Sequence, residues 1–293
     1  MAAPVLSGAL LLDKPSGITS ARAVTLVKRL LPKGTKIGHT GTLDPLASGL
    51  LVLLLGRATR LSRYVTGLDK SYVATASFGA VSDTLDAEGR ITRLQNASMP
   101  DEDTIRGALL RFTGDILQTP PMASAVKVGG ERLYIAQRRG ETIERESRPV
   151  TVHAFELLTL DATTATATFR VSCSSGTYVR TLVSDLAAYL NTGAYLSALC
   201  RTYVGHLTAQ DATPLSNITP ETLYKCIIQS REVVAHLPGA EVQSAERASV
   251  CNGRPLGRFG SLESFRVEAG GELLAIYRGE GDGARAEVVL CDP

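Results

Sequence analysis

The sequence has few of the residues that build metal sites and disulfide frameworks. Among its 293 residues are four histidines, no tryptophan and five cysteines. The cysteines are scattered, odd in number and free of any Cys-x-x-Cys pair: Cys173, Cys200, Cys226, Cys251 and Cys291. We therefore expect neither a zinc site nor a disulfide framework, and instead reduced thiols buried among apolar side chains.

Long apolar runs are also lacking. None approaches the roughly 18 residues that a membrane-spanning helix needs. The apolar stretch near the N-terminus is interrupted by Ser7 and Gly8 and has no basic residues before it, unlike a signal peptide. We expect a cytoplasmic protein that makes no contact with a membrane.

A strong excess of either charge is absent as well. The formal net charge is +2, which by itself does not indicate nucleic-acid binding. The distribution is more informative. Residues 241–293 hold six arginines, no lysine and nine acidic residues, a balance of −3, whereas residues 1–240 hold 25 basic and 20 acidic residues, a balance of +5. If the protein binds RNA, we expect residues 1–240 to contact most of the phosphates.

One loop carries the only pattern that indicates a particular chemistry. Residues 38–49 read Gly-His-Thr-Gly-Thr-Leu-Asp-Pro-Leu-Ala-Ser-Gly, and three glycines and a proline in this span predict neither helix nor regular strand. The apolar run 50–55 follows at once and predicts a strand buried on both faces. We expect this strand to anchor the loop and so to hold Asp44 rigidly.

The residues of the loop leave two interpretations open. An Asp-Pro pair commonly opens a turn in which the carboxylate binds nearby backbone amides, and His39 alone is typical of a loop residue. The alternative is that Asp44 is catalytic and that His39 lies beside it.

Residues 38–51 resemble the signature of the bacterial tRNA pseudouridine-55 synthases, the TruB family, with Ser48 where threonine is expected. The likeness continues through most of residues 8–207 and more faintly to the C-terminus. It implies an α+β protein with the pseudouridine synthase fold, a mixed, largely antiparallel central sheet flanked by helices. It also implies a catalytic domain over residues 1–237 and a small β-rich PUA-like RNA-binding domain over 238–293.

The resemblance implies an isomerase that converts uridine 55 in the T loop of tRNA to pseudouridine after flipping it out of the loop. Asp44 would be the catalytic carboxylate, Tyr72 would stack under the uracil, and Arg180 would pair with Asp44. Taken alone, Tyr72 opens an alternating strand and is more typical of a core residue. Arg180 lies near a helix start, the unfavourable end of the dipole, so a carboxylate partner is expected on physical grounds too.

The same resemblance implies further contacts to the tRNA stem-loop. The residues at the matching positions are His39, Leu199, Lys14, Lys70 and Tyr178. No metal and no small-molecule cofactor is implied, and we expect a monomer. The chain departs from the family pattern at Ser175, Tyr195 and Cys200.

Two other functions compete with this interpretation. The protein could be an RNA-folding chaperone whose site is vestigial. A carboxylate hydrolase would need a second acid at a fixed distance from Asp44, and none stands out in the sequence. Asp83 and Asp86 are interpreted as turn residues of an acidic loop. Whether Asp44 would attack C1′ of the ribose or assist glycal formation stays open.

The pattern of apolar residues predicts several elements around these motifs. Strands are expected over residues 8–12 and 70–78, and an antiparallel pair over 150–160 and 163–173. Ser20 is expected to cap a helix, and residues 174–182 are expected to open another helix with Leu182, Leu186 and Leu190 on one side. A further helix is predicted over 214–228.

Overall fold

A large mixed sheet occupies most of the chain in the computed structural model, which describes residues 6–95, 97–124 and 126–292. Its strands are β1 (Gly8–Lys14), β2 (Ile37–His39), β3 (Ser48–Leu55), β4 (Lys70–Phe78), β7 (Gly114–Gln118), β10 (Arg148–Asp161), β11 (Thr166–Cys173), β12 (Ala194–Val204), β13 (Leu207–Thr208), β14 (Thr213–Pro214) and β15 (Ile227–Ile228). Two separate hairpins are formed by β5 (Ala80–Ser82) with β6 (Ile91–Arg93) and by β8 (Lys127–Val128) with β9 (Glu131–Arg132). The helices are α1 (Ser20–Lys28), α2 (Ser62–Thr66), α3 (Glu102–Leu109), α4 (Leu133–Arg138), α5 (Val179–Tyr189), α6 (Ser230–Val233) and α7 (Arg247–Cys251).

The main path of the sheet runs β14-β1-β3-β12-β4-β11-β10-β7. The pairs β1–β14 and β3–β12 are parallel, and the other neighbours along this path are antiparallel. The predicted mixed, largely antiparallel sheet is therefore confirmed. The predicted antiparallel pair is β10 and β11, and the predicted strand over 70–78 is β4.

Strand β3 is an interior strand of this sheet, between β1 and β12, and separates two hydrophobic cores. Successive side chains of a strand point to opposite faces. Leu51, Leu53 and Leu55 enter the core beneath helices α1, α3 and α5, whereas Leu50, Val52 and Leu54 enter a second core on the other face. All six are buried, and each such burial contributes about 1.5–3 kcal/mol. The prediction of a strand buried on both faces is confirmed.

The loop before β3 is shorter than the sequence pattern indicates. Gly38 and His39 belong to β2, and Ser48 and Gly49 already belong to β3, so the irregular part spans residues 40–47. Backbone pairing with β3 draws these flanking residues into strands although glycine disfavours them.

Helix α1 is capped by Thr19 and not by Ser20, which was predicted as the cap. The Thr19 side chain accepts a hydrogen bond from the Arg22 backbone amide at 3.0 Å. Ser20 is buried and bonds the distant residue Leu43 instead. The helix predicted from residues 174–182 is α5, which begins at Val179 and buries Leu182 and Leu186 in the core.

A second sheet lies near the C-terminus, in the order β16 (Gly239–Glu241), β17 (Phe265–Ala269), β18 (Glu272–Glu280) and β19 (Gly283–Val289). It has a core of its own around Phe265 and Tyr277. Two residues of this sheet, Leu273 and Ile276, pack instead in the second core of the large sheet. The expected C-terminal β unit is therefore present and packs on the face of the large sheet opposite helices α1, α3 and α5.

Three arginines around α2 hold the two sheets together. Arg57 donates to the Leu290 carbonyl at 3.0 Å, and Arg60 donates to the Val289 carbonyl at 2.6 Å. Arg63 forms an ion pair with Glu287 at 2.9 Å. These three guanidinium groups therefore use part of their hydrogen-bonding capacity on the C-terminal part of the chain.

Two predictions about this part of the chain are wrong. Residues 214–228 form short strands and single 3-10 turns in place of a helix, because both ends of the segment pair with the edge of β1. Cys251 and Cys291 form a disulfide with a Cα–Cα distance of 5.4 Å, although only reduced thiols were expected. The fold brings α7 against the end of the C-terminal sheet, a proximity that cysteine spacing does not reveal. Across the described ranges, no helix is long and apolar enough to cross a membrane.

Gly49 is expected to tolerate no side chain. Its φ is +91°, and a Cβ built there would lie 2.9 Å from the Arg201 backbone nitrogen and closer still to the Arg201 carbonyl oxygen. Gly49→Ala should lower the free energy of unfolding by about 2–5 kcal/mol, the sum of backbone strain and overpacking. Urea denaturation measures this change.

The matched control is Gly107→Ala, an exposed site in α3 where a Cβ would have no neighbour within 4 Å. It should stabilise the protein by about 0.5–1 kcal/mol through helix propensity. Equal stability of the two variants would contradict the close approach of β3 and β12.

Candidate active site

The loop that carries Asp44 is held by hydrogen bonds from three directions. The Ser20 hydroxyl donates to the Leu43 carbonyl at 2.9 Å and accepts from the Leu43 amide at 2.8 Å. The Gly17 amide donates to the Pro45 carbonyl at 2.8 Å, and the Arg201 guanidinium donates to the Gly41 carbonyl at 3.1 Å. Asp44 is therefore fixed by its neighbours on both sides, as the sequence predicted.

Lys14 and Lys70 lie beneath the site and not on its surface. Both are buried, and the Lys14 ammonium donates to the carbonyls of Pro15 and Ile18, each at 2.8 Å. The Lys70 ammonium donates to the carbonyl of Thr66 at 2.6 Å. Burial lowers the pKa of each lysine from 10.5 to about 8. The structure thus gives both lysines a role in holding backbone, and their RNA contact stays a prediction.

Arg180 is the centre of the site. Its side chain is 4% exposed, and its Nε lies 3.0 Å from Oδ2 of Asp44. The predicted ion pair is therefore present. The remaining donors bind Oδ2 of Asp86 at 3.1 Å, the Thr84 carbonyl at 2.9 Å and the Ala123 carbonyl at 2.8 Å. A guanidinium with all of these partners is fixed in one orientation.

Asp86 is the residue that the sequence analysis missed. It was interpreted as a turn residue, and no second acid was expected beside Asp44. Its side chain is 3% exposed and shares Arg180 with Asp44, and its Oδ1 accepts hydrogen bonds from Thr84 Oγ1 at 2.6 Å and from the Glu88 amide at 3.1 Å. In the sequence it is one acid among several in a turn-rich segment, so only the folded geometry separates it from Asp83.

The two carboxylates differ in exposure. The Asp44 side chain is 35% exposed, whereas that of Asp86 is almost fully enclosed, so only Asp44 presents an oxygen to a ligand. Burial raises the pKa of Asp44 above its ordinary value, and the charge of Arg180 opposes that rise. The negative charge of Asp86 adds to the rise, and Lys14 opposes it more weakly.

Tyr72 and Leu199 come from neighbouring strands of the central sheet. In the register of β4 and β12, Tyr72 pairs with Arg201, and Leu199 pairs with Ala74. Burial raises the pKa of the Tyr72 phenol, and the charge of Asp44 adds weakly to this rise. The Leu199 carbonyl accepts a hydrogen bond from the Ser48 hydroxyl at 3.4 Å, so β12 lies against the end of the Asp44 loop. Of the predicted site residues, the structure brings Asp44 and Arg180 into direct contact.

His39 and Tyr178 lie at the edges of this group. His39 ends β2, and its Nδ1 is buried without a hydrogen-bond partner in the described parts of the chain. Burial lowers the pKa of His39, as does the nearby charge of Arg201. The backbone of Tyr178 is held by Gln118, whose side chain accepts from the Tyr178 amide at 2.6 Å and donates to its carbonyl at 3.1 Å. This contact fixes the start of α5 and with it Arg180.

Comparison with known proteins places this chain in a family. The family described as "TruB family pseudouridylate synthase (N terminal domain)" matches residues 28–179, a segment that includes Asp44 and Tyr72. This chain belongs to the TruB family of pseudouridylate synthases. It is therefore a pseudouridine synthase, an isomerase that converts uridine in RNA to pseudouridine.

Similar proteins support the assignment over most of the chain. A tRNA pseudouridine synthase B of Azoarcus sp. (strain BH72) is 42% identical over 276 residues, which cover 93% of this chain and 91% of that protein. A tRNA pseudouridine synthase B of Burkholderia mallei (strain NCTC 10247) is 48% identical over 222 residues, 76% of this chain and 72% of the relative. The crystal structure of a Cbf5-Nop10-Gar1 complex contains a chain of the same fold, with a TM-score of 0.75 at 26% identity over 97% of this chain and 85% of that one.

Arg180→Met should raise the pKa of Asp44 further, because the substitution removes the cation that favours the ionised carboxylate. Asp44 would then ionise at higher pH than in the wild-type protein. The measurement is a ¹³Cγ NMR titration of labelled aspartate, assigned through the Asp44→Asn spectrum.

Arg170→Met is the control, since Arg170 pairs with Glu156 on the exposed surface at 3.0 Å. It should leave the Asp44 titration unchanged. A midpoint for Asp44 that stays constant or falls in Arg180→Met would show that Arg180 does not stabilise the carboxylate.

Proposed function

We propose that this TruB-family protein isomerises uridine 55 in the T loop of tRNA to pseudouridine, with Asp44 as the catalytic carboxylate. The single observation that carries the proposal is the held and partly exposed carboxylate of Asp44, 3.0 Å from the buried guanidinium of Arg180. The relatives at 42% and 48% identity carry names that specify tRNA, which supports this substrate.

The reaction breaks the bond between C1′ and N1 of uridine, rotates the freed uracil and joins its C5 to C1′. Asp44 acts on the sugar, either by attack at C1′ or by assisting formation of a glycal. Arg180 keeps the carboxylate ionised against the desolvation that a bound nucleotide imposes. Because Asp86 holds Arg180 from the opposite side, the guanidinium does not have to reorganise when the substrate binds.

The base must leave the folded T loop to reach Asp44, and this extrusion costs a few kcal/mol. Stacking on Tyr72 returns about 1–3 kcal/mol, and Leu199 encloses the opposite side of the uracil. His39 fills or borders the space beside the flipped nucleotide, and Tyr178 contacts the neighbouring RNA. Together these side chains keep the freed uracil in the pocket while it rotates.

We further propose that residues 1–237 form the catalytic domain and that residues 238–293 form a PUA-like RNA-binding domain. Support comes from the separate core of the C-terminal sheet around Phe265 and Tyr277. Because residues 241–293 carry more acidic than basic side chains, residues 1–240 supply most of the contacts to the phosphates of the RNA. We propose that the protein acts as a monomer, in the cytoplasm and without a small-molecule cofactor.

Asp44→Asn should abolish the reaction and leave tRNA binding within a few fold of wild type. The amide keeps the shape of the side chain but supplies no negative charge. The assay is release of tritium from C5-labelled uridine in a T-loop stem transcript. Asp103→Asn, an exposed acid in the first turn of α3, should behave as wild type.

Tritium release by Asp44→Asn at the rate of Asp103→Asn would remove Asp44 from the mechanism. Wild-type protein that binds the transcript but releases no tritium would favour the RNA chaperone. The carboxylate hydrolase is disfavoured, because Asp86 is enclosed and both acids of such a pair must face the substrate.

Tyr72→Leu should be slower than Tyr72→Phe by about 5- to 150-fold, because leucine loses a stacking free energy of about 1–3 kcal/mol that phenylalanine keeps. Single-turnover rates on the same transcript measure the difference. Equal rates for the two variants would show that stacking on residue 72 does not support the flipped base.

A further inference from the structure

Gln118 is a buried polar residue with no step in the proposed mechanism. It is 2% exposed and ends β7, the last strand on the main path of the large sheet. Both ends of its side-chain amide bind the same distant residue: Oε1 accepts from the Tyr178 amide at 2.6 Å, and Nε2 donates to the Tyr178 carbonyl at 3.1 Å. A single side chain therefore pairs with the Tyr178 backbone as a neighbouring strand would.

Helix α5 is held at its start by this contact. Tyr178 is the residue that precedes the helix, and within the described parts of the chain its side chain makes no capping hydrogen bond. The first backbone amides of a helix have no acceptor inside the helix, so they bind other groups. Gln118 supplies that acceptor for Tyr178 from a position 60 residues away. The edge of the sheet thus fixes the start of α5.

Arg180 is the second residue of α5, so its position follows from where the helix starts. The dipole does not help to hold a guanidinium there, because a helix N-terminus repels a cation. The segment that carries Gln118 also reaches the far end of this side chain, since the Ala123 carbonyl accepts from Arg180 Nη2 at 2.8 Å. Residues 118–123 therefore contact Arg180 at its guanidinium and, through Tyr178, at its backbone.

The contact between Arg180 and Asp44 is sensitive to such positioning. Their Nε and Oδ2 atoms lie 3.0 Å apart, and a hydrogen bond weakens steeply once its atoms are misaligned. Loss of the Gln118 amide would leave the Tyr178 amide without this acceptor, whereas the Tyr178 carbonyl would still accept from the Leu182 amide at 3.0 Å. The helix would keep its first internal hydrogen bond, but its start would lose this attachment to the sheet.

We propose that Gln118 is a positioning residue of this synthase, which holds Arg180 against Asp44 by binding the backbone of Tyr178. The inference rests on the proposed function for its effect on rate, but the effect on Asp44 is testable without RNA. Misplacement of reacting groups by about 1 Å costs on the order of 100-fold in rate, so loss of this side chain should be visible in kinetics.

The first test is the ¹³Cγ NMR titration of Asp44 in Gln118→Met, without RNA. The charges of Arg180, Asp86 and Lys14 shift the pKa of this carboxylate. Glutamine and methionine are both uncharged, so the substitution acts on the titration only through the positions of these groups. A displaced Arg180 favours the ionised carboxylate less, and the midpoint should therefore move to higher pH, by less than in Arg180→Met.

The matched control is Gln210→Met, the same replacement at an exposed glutamine in the single turn 209–211. It should leave the Asp44 midpoint unchanged. A midpoint in Gln118→Met that stays constant or falls would overturn the proposal.

A double variant tests whether Gln118 acts through Arg180. Residues that act through one shared contact have non-additive effects. Adding Gln118→Met to Arg180→Met should therefore leave the Asp44 midpoint where Arg180→Met alone has it, and an additive further rise would overturn the proposal. If the double variant does not fold, solvent exchange of the Arg180 Nε proton takes its place. This exchange should be at least about tenfold faster in Gln118→Met than in Gln210→Met, and equal exchange rates would overturn the proposal.

The second test is the single-turnover rate of tritium release at saturating transcript. Gln118→Met should be slower by at least about tenfold, and Gln210→Met should stay within about twofold of wild type. A slower rate together with a shifted Asp44 midpoint supports the proposal. A slower rate with an unchanged midpoint would indicate a merely structural role, and a shifted midpoint with an unchanged rate would show that catalysis does not depend on this positioning. Either result overturns it.

Circular dichroism and the thermal midpoint report whether Gln118→Met folds. If it does not, Gln118→Asn replaces it, since asparagine keeps the amide but is one methylene too short to bind both backbone groups of Tyr178. Its Asp44 midpoint should still rise and its rate should still fall, and wild-type values for both would overturn the proposal. Failure of the proposed function appears differently, as a wild-type protein without tritium release whose Asp44 titration still responds to Gln118→Met.

Discussion

The interaction between Arg180 and its two carboxylates is the constraint on which the site depends. A guanidinium that is 4% exposed requires partners in every direction, and here Asp44, Asp86 and two backbone carbonyls provide them. Because these partners come from three separate segments, the arginine can be satisfied only when all three are in place. The same contacts that stabilise the buried charge therefore assemble the site.

The exposure of the two acids follows from this arrangement. Asp86 saturates the enclosed side of Arg180, and Asp44 occupies the side that opens to solvent. One carboxylate thus serves to orient the cation, and the other remains available to a ligand. Burial and the charge of Asp86 raise the pKa of Asp44, so the ion pair with Arg180 is what favours the ionised form that the proposed chemistry requires.

Strand β3 anchors the C-terminal end of the loop that carries Asp44. Its side chains enter two different cores, so the strand cannot shift without disturbing both faces of the sheet. Gly49 lets β12 approach closely enough to pair, and this approach places Arg201 under the loop. The core, the loop and the tyrosine of the site are therefore parts of one packed unit.

Local patterns in the sequence determined much of this protein. An unbroken apolar run predicts β3, alternation predicts β4, and a cation at a helix start predicts a carboxylate partner for Arg180, because each depends on neighbours along the chain. The residue signature around Asp44 indicated the family. Only the tertiary structure decided the rest: the role of Asp86, the burial of Lys14 and Lys70, the pairing of Cys251 with Cys291, and the strands in place of a helix over 214–228. Each of these depends on contacts between residues far apart in the chain, and such contacts leave no periodic or spacing pattern for the sequence to show.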